Sequence, residues 1–109
     1  MNENELVENL NSCGIPDKMH GAIIRYIVNH CEPGNFLCAV IENDLKDSFR
    51  CADDENKLII ENYIRFFYNY APSDCWGSPE KMAEWLLRVR SIDENHLYTL
   101  RKIKRLMDE

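Results

Sequence analysis

The sequence has no apolar run longer than a few residues, Phe66-Phe67-Tyr68 being typical, whereas a helix crossing a bilayer needs roughly 20. It also has no basic-then-apolar leader: Met1-Asn2-Glu3-Asn4-Glu5 is acidic and polar. The chain is therefore expected to be soluble and to stay in the cytoplasm of the cell that makes it. No C-x-x-C pair occurs. The five cysteines, Cys13, Cys31, Cys38, Cys51 and Cys75, are odd in number and spaced by 18, 7, 13 and 24 residues, which argues against a zinc or dithiol motif and reads as reduced core thiols. Basic charge is in short supply, with 13 Lys and Arg against 19 Asp and Glu and a net charge of -6. Duplex nucleic acid and acidic membrane are both polyanions held by basic fields, so neither suits this surface as a whole.

Strand signals, internal repeats and flexible linkers are missing as well. What remains is helical periodicity in a chain of 109 residues, 45% hydrophobic and 29% charged, which predicts one all-α domain, a bundle of about five to six helices. A short helix from Asn4 to Asn11 carries Leu6, Val7 and Leu10 and stops at Cys13-Gly14. Pro16 suits the first turn of the next helix, because its missing N–H has no partner there. Met19, Ile23, Tyr26, Ile27 and His30 then fall at i, i+4, i+7, i+8 and i+11, an apolar stripe. Gly21 within that helix predicts close approach of a neighbouring backbone. Glu32-Pro33-Gly34-Asn35 is a turn with Asn35 as cap, followed by Leu37, Val40, Ile41 and Leu45, with Phe49 on the same face. Asn43-Asp44 leaves open whether this segment is one helix or two.

Asp53 caps the following element, and its acidic start suits the positive end of a helix dipole. From Asn56 to Tyr70 apolar residues cover much of the circumference: Leu58, Ile59, Ile60, Tyr63, Ile64, Phe66 and Phe67. That marks the central helix. A loop from Ala71 to Pro79 ends in Ser78-Pro79-Glu80, a cap, a first-turn proline and an acid, which launches a helix with Met82, Trp85, Leu86 and Val89. Ser91-Ile92-Asp93-Glu94 is a capping box for a last helix over 92–107, whose end carries Arg101, Lys102, Lys104 and Arg105.

Signatures of catalysis are absent: no glycine-rich phosphate loop, H-E-x-x-H, G-x-S-x-G or deaminase spacing occurs. A non-enzymatic protein without cofactor or metal is expected. His20 and His30 do not share a helical face, so they make a poor metal pair. The stretch Tyr68 to Glu80 is the richest in recognition chemistry. Tyr68, Asn69, Tyr70 and Trp76 set aromatic faces and amides beside Ser73, Ser78 and a helix start, groups that stack on bases, read their edges and favour anions. The competing reading is that Trp76 and the tyrosines plug the end of the bundle. Arg25 can pair with a surface acid or fork onto a phosphate.

The ordered set Ile15-Pro16-Asp17-Lys18-Met19 with Gly21 and Ile24-Arg25-Tyr26, Pro33-Gly34-Asn35-Phe36-Leu37, Asn43-Asp44-Leu45, Tyr68-Asn69 and Cys75-Trp76-Gly77-Ser78-Pro79-Glu80 resembles a family of small accessory proteins of tailed bacteriophages and prophages. The resemblance spans residues 15–89. It implies a phage setting and a counter-defence role, by capture of a nucleotide immune signal or by covering a working surface of a host protein. Under the first reading Arg25 holds phosphate, Tyr26, Tyr68 and Trp76 stack, Asn43, Asp44 and Asn69 bond base or ribose, Ser78 adds a polar group at the helix start, and homo-oligomerisation encloses the ligand. Under the second, the acidic chain blocks the nucleic-acid-binding surface of a host defence protein.

Overall fold

The computed structural model describes residues 2–88, and among them every regular element is helical. The order is α1 (Glu3–Ser12), α2 (Asp17–Asn29), α3 (Asn35–Ile41), α4 (Leu45–Cys51), α5 (Asp54–Lys57), α6 (Ile60–Tyr70), a 3-10 turn (Ser73–Cys75) and α7 (Pro79–Leu87). The all-α class is as the periodicity predicts. The helix expected over 92–107 lies outside the described residues.

Local chemistry sets most of the boundaries. The Asn2 side chain accepts from the Glu5 N–H at 2.8 Å, and Glu3 and Glu5 sit where the helix dipole favours acids. At the other end of α1, Gly14 takes φ +74°. The Ile15 N–H then reaches the Leu10 carbonyl and the Gly14 N–H the Asn11 carbonyl, both at 3.0 Å, closing the helix with paired bonds. Pro16 stands just before α2 as its cap residue and not in the first turn, its φ of -60° preparing the entry. His30 ends α2 in the left-handed conformation, φ 58° and ψ 41°. For a non-glycine residue that costs about 1–2 kcal/mol. The ring offsets it: Nδ1–H donates to the Trp85 carbonyl at 2.8 Å, and the imidazole packs on the Trp85 indole with centroids 4.8 Å apart.

The segment left open as one helix or two is divided, and one expected helix is broken. Asn43 adopts φ 64°, with its N–H on the Val40 carbonyl and the Asp44 N–H on the Ala39 carbonyl, and Asp44 then caps α4 by accepting from the Asp47 N–H. The segment 35–51 is therefore two helices, and the break reorients the second. Leu45 and Phe49 do not continue the inward face; they are 70% and 56% exposed. Asn35 does not cap α3, since Gly34 occupies that position without a side-chain bond.

The central helix likewise starts later than its apolar pattern suggests. Asp53 caps only a single turn, α5, and the chain kinks at Leu58-Ile59, where Ile59 has φ -127° and ψ 23°. Two anchors hold α5 apart from α6: buried Asn56 accepts the Tyr63 hydroxyl at 2.6 Å, and Lys18 of α2 bridges Asp53 and Glu55 at 3.1 and 3.0 Å. Leu58, expected on the central helix, points out and is 87% exposed.

The core gathers on α6. Tyr63, Phe66 and Phe67 have no exposed surface, and around them pack Leu6, Leu10, Ile23, Tyr26, Val40, Ile41, Met82 and Trp85. Burying each such side chain contributes about 1.5–3 kcal/mol. Edge-to-face pairs, Phe36 on Tyr63 at 5.1 Å and Phe66 on Phe67 at 5.3 Å, order the aromatic centre. Gly21 faces solvent, and the space a side chain would take is filled by the Arg25 guanidinium, whose Nη1 lies 3.0 Å from an added Cβ. It marks no approach of a neighbouring backbone.

Candidate functional site

Tyr26 faces the core. It is fully buried, its hydroxyl donates to the Cys75 carbonyl at 2.6 Å, and burial pushes the phenol well above its ordinary range. Its ring is unavailable to a ligand. That bond also fastens the 71–78 loop: the 3-10 turn buries Cys75, whose thiol burial pushes up to about 12, and the Gly77 N–H donates to the Ile41 carbonyl at 2.7 Å. Gly77 holds φ +114°, a conformation open to glycine. Between them Trp76 is half-buried, its ring tilted on Phe67 with centroids 5.9 Å apart. Ser78 caps α7, its Oγ accepting from the Lys81 N–H at 3.1 Å, which satisfies one of the free N–H groups at that helix start. The loop thus packs as the plug of the bundle end.

The remaining predicted site residues are dispersed. Arg25 is exposed on α2, lying back over Gly21. Tyr68 is 77% exposed on α6, and Asn69 spends its amide on the Arg65 carbonyl at 2.9 Å. Asn43 and Asp44 form the α3–α4 turn and are exposed. The Gly77–Ile41 bond brings Trp76 and Ser78 toward that turn. Among the described residues, no hydrogen bond, ion pair or ring contact joins Arg25, Tyr68 or Asn69 to it.

A concavity does exist, on the other side of that turn. A pocket of about 280 Å³ between α3 and α4 is lined by Asn35, Cys38, Ala39, Glu42, Asp44, Asp47, Arg50 and Cys51. Helix spacing assembles it: Cys38 and Glu42 are four apart at the end of α3, and Asp47, Arg50 and Cys51 share a face of α4. Its one cation, Arg50, is held by Asp47 at 2.9 Å. Glu42 has no such partner. Partial burial pushes its carboxyl above the usual range, and Asp44, Asp47 and Glu80 push it in the same direction.

The pocket lining carries three carboxylates, Glu42, Asp44 and Asp47, against one guanidinium. The Cys38 thiol is pushed up to about 11 by burial and by Glu42, and it donates to the Pro33 carbonyl at 3.3 Å, so it is no nucleophile. Among the described residues no group of three or more His, Cys, Asp or Glu is placed to hold a metal ion. Sequence reasoning found Asp44 but missed Glu42, Asp47 and Arg50. The visible signal was three carboxylates within six positions, Glu42, Asp44 and Asp47, with Lys46 among them and Arg50 just beyond. No described helix is long and apolar enough to cross a membrane. No family model matches the chain, and neither the curated proteins nor the solved structures searched contain a match.

Proposed function

We propose that this chain is a non-enzymatic protein-binding module that engages a basic surface of a partner, of the kind that proteins present to nucleic acid. In the phage setting that the sequence resemblance implies, the partner is a host defence protein and the effect is to cover its nucleic-acid-binding face. The observation that carries this reading is the pocket between α3 and α4, where Glu42 shares its surroundings with Asp44, Asp47 and Glu80 and lacks a cation of its own. A Lys or Arg side chain entering there relieves that repulsion. The wider field agrees: residues 2–88 contain eight Lys and Arg against fifteen Asp and Glu, a net of -7. Capture of an anionic nucleotide works against the same field. It also lacks a convergent set of groups, since Tyr26 is core and Arg25 and Tyr68 stand apart.

The test pairs two titrations on the full chain. Fluorescence anisotropy with a labelled Arg- and Lys-rich peptide is expected to give saturable, salt-sensitive binding that Glu42→Gln with Asp44→Asn weakens on the order of tenfold or more. Asn retains the capping function at position 44, so the helix survives the change. Differential scanning fluorimetry against cyclic and ADP-ribose-type nucleotides is expected to give no shift. A thermal shift with a nucleotide, or peptide binding indifferent to the two substitutions, overturns the proposal.

A further inference from the structure

The pocket between α3 and α4 already holds a guanidinium. Arg50 is the cation among its lining residues, and its Nε donates to the Asp47 carboxylate at 2.9 Å. The bases nearest in sequence to its acids, Lys46 and Lys81, are not part of the lining. The contact is a weak one. Donor and acceptor lie three positions apart on one helix with side chains 68% and 46% exposed, and ion pairs of that kind are screened by water and readily broken. It is also incomplete, because Arg50 turns to Asp47 and leaves Glu42 facing Asp44, Asp47 and Glu80. A guanidinium carries five N–H donors in a fixed plane, enough to fork onto one carboxylate or bridge two, and among the described residues Arg50 uses one of them.

We propose that Arg50 is an internal stand-in for an arginine of the partner: it holds Asp47 in the free protein and is displaced by an entering guanidinium that engages Asp47 and Glu42 together. The stand-in role rests on the reading of that pocket as the seat of a basic surface, and it narrows the contribution of the partner from any cation to arginine. Glu42 stands at the end of α3 and Asp47 in the first turn of α4, both lining the same concavity. A planar guanidinium presents donors along two edges to such a pair, whereas an ammonium is a compact, strongly hydrated point charge without a rigid fork. The site is also held back by its own residue. Each binding event has to break the Arg50–Asp47 pair, so an incoming group that merely replaces that contact gains little, while one that satisfies Glu42 as well is favoured.

The test uses the full chain and two labelled peptides of equal length and charge, one built on Arg and one on Lys, titrated by fluorescence anisotropy. The wild type is expected to bind the Arg peptide about tenfold more tightly than the Lys peptide. Arg50→Gln is expected to tighten the Arg peptide about fivefold or more, and Lys46→Gln, the same change of net charge outside the lining, by less than about twofold. Arg50 also stands in the last turn of α4, where a cation complements the helix end. If that is its whole role, Arg50→Gln lowers the melting temperature and leaves peptide affinity no tighter than Lys46→Gln does, and the proposal is overturned. Equal affinity for the two peptides overturns it as well. The variant carrying Glu42→Gln with Asp44→Asn separates the two levels. Binding that this pair weakens but Arg50→Gln does not tighten sinks the stand-in role alone, whereas binding indifferent to the pair removes the reading of the pocket and the stand-in with it.

Discussion

Replacing Tyr26 with Phe separates two roles that the sequence permits for one residue, ligand platform and core anchor. In the structure the side chain is fully buried and its hydroxyl donates at 2.6 Å to the carbonyl of Cys75, itself buried. Phe fills the same ring volume but leaves that carbonyl without its donor. A net hydrogen bond is worth about 1 kcal/mol, and an orphaned buried acceptor adds a desolvation penalty, so the expected loss is about 1–3 kcal/mol. A chain of this length has a total stability of about 5–15 kcal/mol. At roughly 4–8 °C per kcal/mol, the melting temperature drops by about 5–20 °C. The control is Tyr68→Phe, at a position 77% exposed, which should change stability by less than about 0.5 kcal/mol. Urea denaturation followed by far-ultraviolet circular dichroism compares the two. If Tyr26→Phe falls no further than Tyr68→Phe, the bond to Cys75 is not holding the 71–78 loop, and the account of that loop as packing fails.

Other expectations follow from individual positions. Gly14→Ala is expected to cost about 1–2 kcal/mol in urea titrations, because φ is +74° there and the added Cβ would sit 3.1 Å from the Asn62 amide. Asn43→Gly, at φ 64°, should be neutral or slightly stabilising, whereas Asn43→Val should destabilise by about 1 kcal/mol or more. Glu42→Gln should raise the melting temperature at pH 7 by roughly 1–3 °C, and the gain should vanish near pH 4. The sign follows from the raised carboxyl: protonation favours the fold, so the stability tied to this group is present at acid pH and lost as pH rises through its folded value. The buried thiols of Cys38 and Cys75 and the phenols of Tyr26 and Tyr63 are all raised too. Their contribution is full below the ordinary thiol value of 9.0, so a pH titration of ellipticity should show unfolding set in above that value and steepen as pH rises further.

Helix starts and stops proved legible wherever backbone chemistry is local. Gly14, Asp53 and Ser78-Pro79 each act through bonds to residues three to five positions away, and they do what their residue types predict. The break at Asn43 is local too, through bonds among Ala39, Val40, Asp44 and Asp47, whereas that at Leu58-Ile59 depends on more distant partners. Nothing in Leu58-Ile59-Ile60 signals a kink; it arises because Asn56 is held by Tyr63 and α5 is tied to Lys18. The site was harder still. Tyr26 belongs to the apolar stripe of α2, and that periodicity, given more weight than its stacking chemistry, places it in the core. The pocket escaped notice because it forms between α3 and α4, which meet at an angle fixed by the left-handed Asn43. Its acids are also ordinary cap and surface residues when each is viewed alone.

The C-terminal end of α2 is completed from far along the chain. The Tyr26 carbonyl accepts from both the His30 N–H at 3.1 Å and the Trp85 Nε1–H at 2.9 Å, while the His30 ring caps the carbonyl of Trp85. During synthesis, then, the second helix is made early, but its last turn gains these partners only once Trp85 has left the ribosome. A nascent chain halted before that point would lack both the Trp85 carbonyl and the indole that offset the left-handed conformation of His30. The last turn of α2 is thus completed by contacts 55 and 59 positions apart in the chain.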